Sequence, residues 1–119
     1  MGAGPSDRDA ARALGRSAES ATAASLERSG CRVLARNWRG GGGELDLVVA
    51  RADKLRFVEV KARSANLDYE PIHPGQVRRL RCAAEAWMAA QPSAWWSEAC
   101  FALAVVDVDG RIDWKDDPF

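Results

Sequence analysis

Apolar residues in the first quarter of the chain recur every three or four positions. Ala10, Leu14, Ala18, Ala21 and Leu26 mostly keep that interval, the spacing of a helix with one buried face. Ser6 or Asp7 is placed to cap this helix, and Ser29-Gly30 to stop it. The period then changes. Cys31 to Asn37, with Val33 and Leu34, predicts a first strand closed by the glycine run Gly40 to Gly43. Leu45 to Ala50 and Leu55 to Ala62 predict two more strands, joined around Ala52-Asp53-Lys54. After Pro71 and Pro74, helical spacing returns at Val77, Leu80, Ala84, Trp87 and Met88, until Gln91-Pro92 ends it. Phe101 to Val108 and Arg111 to Trp114 predict a closing strand pair around Asp109-Gly110, which reads as a type I′ turn. The predicted order is αβββαββ.

Strands two and three carry charge where a covered strand is expected to be apolar. With a two- or four-residue loop centred between Ala52 and Asp53, Asp46 faces Glu59 and Glu44 faces Lys61. A three-residue loop would shift that pairing by one unless a bulge restored it. Residues two apart share a face, so all four side chains are expected on one side of the sheet, together with Val48, Leu55 and Phe57. Leu45, Leu47, Val49, Val58 and Val60 are expected on the other. Apolar residues on both faces indicate central strands covered by helices.

Opposed carboxylates repel, and in a covered sheet their charge is costly unless something positive lies between them. A divalent cation answers that need. Mg²⁺ or Mn²⁺ takes hard oxygen ligands and uses only one or two protein carboxylates, which Asp46 and Glu59 can supply. Lys61 would then orient a nucleophilic water or stabilise charge building on a phosphate. That chemistry is phosphodiester hydrolysis. The competing reading is a solvated edge strand with a Glu44–Lys61 ion pair worth under ~1 kcal/mol; it leaves Asp46 opposite Glu59 unexplained.

Composition narrows the class. The 119 residues, 47% of them hydrophobic, fit one compact domain over residues 7–119 behind a disordered tail at 1–6. No apolar run approaches the ~18 residues of a membrane span. The N-terminus has no secretory apolar segment, so the cytoplasm is the expected location. Met1-Gly2 with Ser6 matches the myristoylation pattern only loosely. Cys31, Cys82 and Cys100 are odd in number and lack CxxC spacing, so they read as small buried hydrophobes. His73 has no second histidine and reads as a loop residue. Lys+Arg 17 balances Asp+Glu 17, which excludes a uniformly basic coat protein. Arg28, Arg32, Arg36 and Arg39 cluster, as do Arg78, Arg79 and Arg81; each cluster suits either a solvated face or a phosphate-facing strip. Trp95 and Trp96 suit core-edge packing or base stacking. The hairpin's apolar content would also allow edge pairing between copies.

Gly43-Glu44-Leu45-Asp46-Leu47-Val48 followed by Phe57-Val58-Glu59-Val60-Lys61-Ala62-Arg63 resembles the YraN-like family of bacterial proteins, within the restriction-endonuclease-like (PD-(D/E)xK) nuclease superfamily. Gly15-Arg16-Ser17-Ala18-Glu19, with Ala21 and Gly30, is similar to the family's first-helix signature. Leu34 to Arg39 is similar to its first strand, and Trp114 with Phe119 to its closing motif. The resemblance implies a restriction-endonuclease-like α/β fold, a mixed sheet flanked by helices, with Asp46, Glu59 and Lys61 on catalytic positions. It adds Glu19 as a further acid from the first helix and Gln76 as a polar residue facing the site. On this reading Asp46, Glu59, the Val60 carbonyl and Glu19 hold Mg²⁺ or Mn²⁺. Gln76, Arg63, Arg78 and Arg79 meet the phosphates of a nucleic acid, with DNA the first expectation. Two positions depart from the pattern: Gln76 stands where the family often has Lys, and Phe101-Ala102-Leu103 where it often has Arg-Phe-Asp. The alternative is a noncatalytic module that keeps the fold and binds nucleic acid or a protein.

Overall fold

A computed structural model describes residues 7–63, 72–116 and 118. The expectations placed on Met1 to Ser6, Pro71 and Phe119 lie outside those residues. The elements are α1 (Asp7–Arg28), β1 (Arg32–Gly40), β2 (Gly43–Arg51), β3 (Lys54–Ala62), α2 (Pro74–Ala89), β4 (Glu98–Val106) and β5 (Ile112–Asp116). This is the order that periodicity predicts. All five strands form one sheet, ordered β1-β2-β3-β4-β5. Only β3 and β4 are parallel, so the chain must cross over between them, and α2 lies on that connection.

Each helix ends for a local reason. Gly30 at φ 95° follows α1, with Cys31 N–H donating to the Leu26 carbonyl and Gly30 N–H to that of Glu27. This is a Schellman cap, which satisfies carbonyls that a helix end leaves open. His73 caps α2, its Nδ1 accepting from Gly75 N–H at 3.0 Å. Pro74 then occupies the first turn, where a missing N–H costs nothing.

The two helices cover opposite faces of the sheet. Leu80, Ala83, Ala84 and Trp87 of α2 pack with Val48, Leu55, Phe57 and Leu45. Ala23 and Leu26 of α1 pack with Leu47, Val49, Val58, Ala102 and Ala104. Strands β2 and β3 are therefore central and buried on both sides, as their two-faced apolar pattern implies. The expected faces are corrected at two positions: Asp46 turns toward the Val60 N–H instead of sharing the face of Val48, and Leu45 joins the α2 cluster, not that of Leu47 and Val49. The second follows from the first, as described below.

Three turns set the strand registers. Arg51 pairs with Lys54, so Ala52-Asp53 is a two-residue loop and the sequence-derived register holds as far as Leu47–Val58. Gly41 and Gly42 have φ of 61° and 84° between the paired Gly40 and Gly43, as a type I′ hairpin demands. The tip of this hairpin rests on α2. A Cβ on Gly41 would come within 2.5 Å of the Cys82 carbonyl oxygen, and one on Gly43 would collide with that of Arg79. The β4–β5 turn is not type I′, because of its residues only Gly110 has positive φ. The Asp107 side chain accepts from the N–H groups of Asp109 and Arg111, each at 2.9 Å, and organises a three-residue loop instead. The cysteines also differ from expectation: Cys31 and Cys100 are partly buried, and Cys82 is exposed on α2. No described helix is long and apolar enough to cross a membrane.

Candidate functional site

The β2–β3 ladder stops after Leu47–Val58. Strand alternation would next set Val60 N–H toward the β2 backbone. Instead it donates to Asp46 Oδ2 at 2.8 Å. The Asp46 side chain therefore lies in the fork between the two strands, near the plane of the sheet. With Asp46 turned sideways, its neighbours fall on opposite faces: Leu45 against α2 and Leu47 against α1. The same alternation directs the Val60 carbonyl into the fork beside its N–H.

Strand β1 bends around the same point. Its pairs Arg36–Leu47 and Trp38–Leu45 bracket Asn37 and Asp46. Asn37 has φ 49°, a left-handed conformation that asparagine tolerates better than most residues. Its side chain hydrogen-bonds Glu19 of α1. Asn37 is the functional candidate that sequence reasoning missed, and the signal was an asparagine inside a strand, where that residue is disfavoured.

Glu59 is 8% exposed. Its Oε1 lies 3.9 Å from Lys61 Nζ and 3.5 Å from Gln76 Nε2. Burial pushes its carboxyl up to about 9, with the Asp46 charge and a hydrogen bond to Asp46 adding to the rise, Lys61 opposing it and Glu19 reinforcing it. Glu19 is also raised, first by burial and then by Asp46 and Glu44, against the Asn37 hydrogen bond and Arg36. Three acids thus act on one another, and the pair Asp46–Glu59 most strongly. A cleft of about 180 Å³ opens here, lined by Glu44, Asp46, Glu59, Gln76, Arg79 and Leu80. A larger cavity of about 710 Å³ lies toward the opposite end of the sheet, around Arg51, Lys54 and Trp114, and contains none of these acids.

The predicted residues divide accordingly. Asp46, Glu59, Lys61, Glu19, Gln76 and Arg79 converge, and Val60 joins them through its backbone. Arg78 is exposed and does not line the cleft. Arg63 is tied to the far strands: its N–H donates to the Val106 carbonyl, and Nη2 lies 3.6 Å from Asp113 Oδ2. The cross-strand Glu44–Lys61 pair is replaced. Glu44 meets Arg39 of β1 at 3.8 Å, because the ladder that would have opposed it to Lys61 ends first.

Among the described residues, no three His, Cys, Asp or Glu side chains gather closely enough to hold an ion by themselves. The donor set here is two carboxylates, a strand carbonyl and a more distant Glu19. It suits a hard cation that completes its shell with water and substrate oxygens. Without a cation the raised Glu59 carboxyl keeps its proton beside Asp46; with both acids ionised the pair would repel, and such a cation would relieve that conflict.

Fold and site together define an α/β protein with a carboxylate pair in a strand fork of a mixed sheet. The description "Uncharacterised protein family UPF0102" matches residues 18–113, and the chain belongs to that family. It is similar to a UPF0102 protein of Nitratidesulfovibrio vulgaris (strain DP4), 44% identical over 107 residues, covering 86% of this chain and 78% of the relative. A UPF0102 protein of Ruegeria pomeroyi is 34% identical over 106 residues, covering 88% and 86%. One of Rhodopseudomonas palustris is 45% identical over 101 residues, covering 83% and 77%.

Proposed function

We propose that this chain is a restriction-endonuclease-like nuclease that uses Mg²⁺ or Mn²⁺ to hydrolyse phosphodiester bonds in DNA or another nucleic acid. The supporting observation is the fork: Asp46 is fixed on Val60 N–H and faces the buried Glu59, with Lys61 Nζ 3.9 Å from the Glu59 carboxylate. Asp46, Glu59 and the Val60 carbonyl would hold the ion, with Glu19 reaching it directly or through water. The bound cation would supply charge neutralisation at the phosphate and acidify an attacking water.

The remaining work falls to the chain itself. Val60 N–H fixes one Asp46 oxygen and leaves the other for the fork. Lys61 keeps an ammonium beside Glu59, where it can hold a water for attack on phosphorus. Gln76 and Arg79 on the first turns of α2 line the cleft and offer donors to the scissile phosphate, with Arg78 and Arg63 available only to flanking phosphates. In this reading residues 7–119 act as one domain, and the setting is the cytoplasm.

The test is cleavage of supercoiled, linear and branched DNA with Mg²⁺ or Mn²⁺. Cutting that disappears in Asp46→Ala and Lys61→Ala supports the nuclease. Binding without cutting, unchanged by either substitution, supports a noncatalytic module instead; Gln76 at the usual lysine position favours that second reading.

A further inference from the structure

We infer that the groove between β1 and the C-terminal half of α2 is a contact for single-stranded nucleic acid, with bases stacking on Trp38 and Trp95 and a phosphate meeting Arg32. This inference rests on the nucleic-acid reading above and names the form of the polymer that the protein grips beside its cleft.

The groove encloses about 590 Å³. Its walls are Trp38, Trp87 and Trp95, and Leu34 and Ala35 contribute apolar surface. Its polar members are Arg32 and Gln91, and no acid lines it. Arg32 is exposed and has no ion pair among the described residues. The site therefore combines flat aromatic surface with a cation available for an anion, the pairing that single strands require.

Trp95 is 37% exposed, yet it is held firmly from behind. Its ring meets Trp96 edge-on at 5.5 Å, Trp96 lies 6.3 Å from Trp87, and Trp87 packs edge-on against Phe57 at 6.0 Å. This chain of rings runs from the core to the surface. A platform so anchored loses little freedom when a base stacks on it. Trp38 brings the groove close to the fork, since it pairs with Leu45, the neighbour of Asp46. One strand spacing, about 5 Å, separates their backbones, and groove and cleft both border α2.

An extended peptide adding to the β1 edge is less well served. That edge is irregular, with a register shift between Val33 and Ala35 and a left-handed Asn37, devices that discourage strand addition.

The experiment is anisotropy with labelled oligothymidine and with a duplex of equal length, in EDTA so that nothing is cut. Trp95→Ala is expected to weaken oligothymidine binding about tenfold and duplex binding by less than twofold, while Trp95→Phe keeps most of the affinity. Arg32→Ala should flatten the salt dependence by about one ion. Circular dichroism verifies that each variant is folded. Oligothymidine affinity unchanged in Trp95→Ala, or an equal loss on duplex, overturns the inference. Trp95-dependent binding by a protein that cuts nothing with any metal would sink the nuclease reading alone. Cleavage accompanied by Trp95-independent binding would sink this inference alone.

Discussion

Asp46 Oδ2 accepts the Val60 N–H at 2.8 Å, so a β2 side chain takes the place that β2 backbone would hold in a continued ladder. That substitution opens the strand fork and leaves a carboxylate in it beside Glu59. Asp46→Asn can still offer an oxygen to Val60 N–H and removes the charge opposing Glu59. Asp46→Ala leaves the N–H without its partner. In EDTA at neutral pH, urea denaturation should find Asp46→Asn more stable than Asp46→Ala by about 1–3 kcal/mol. Equal stabilities would mean that the bond holds nothing in place.

Metal-free stability should fall as pH rises. The Glu59 carboxyl is raised from 4.5 to about 9 in the fold, so between those values the native state holds a proton that the unfolded chain has released. Stability then decreases with pH across that window and levels off only above the folded value. The difference between wild type and Glu59→Gln, followed by thermal melts in EDTA from pH 5 to pH 9, isolates this contribution, expected on the order of a few kcal/mol. Parallel curves for the two proteins would refute it.

Asn37 serves both backbone and side chain, and two substitutions separate the roles. Asn37→Gly keeps φ 49° accessible but removes the amide that holds Glu19. It should fold with near-wild-type stability and bind Mn²⁺ several-fold more weakly. Asn37→Ala should also lose about 1 kcal/mol of stability through left-handed strain. Calorimetric Mn²⁺ titration checks the first expectation, and denaturant melts the second.

Gly43 lets the β1–β2 hairpin lie on α2. A methyl group there would strike the Arg79 carbonyl, so Gly43→Ala should cost about 1–3 kcal/mol and shift Arg79 relative to Glu44 in the cleft. Thermal melts and a cleavage assay read the two consequences. A silent substitution would show that helix and hairpin can separate freely.

The sequence made much of this legible for simple reasons. Helix and strand periods gave the element order, and an even loop at Ala52-Asp53 gave the β2–β3 register as far as Leu47–Val58. It could not reveal that the ladder ends three pairs short of Glu44, because that follows from a side chain capturing a backbone donor. The Leu45 face and the Glu44 partner were misread for that one cause. Asn37 escaped because its importance lies in a φ angle and in a contact to a distant helix. Arg63 looked suitable for phosphate until Asp113, fifty residues away, proved to be beside it. The Asp109-Gly110 turn misled because Asp107 supplies side-chain acceptors that the dipeptide alone does not disclose.

The most direct test of the central claim is a Mn²⁺ titration by calorimetry on wild type, Asp46→Asn and Glu59→Gln at pH 7.5. The account predicts one weak site in the wild type, weakened at least about tenfold by either substitution, with metal raising the melting temperature of the wild type alone. Equal Mn²⁺ affinity in all three proteins would contradict it.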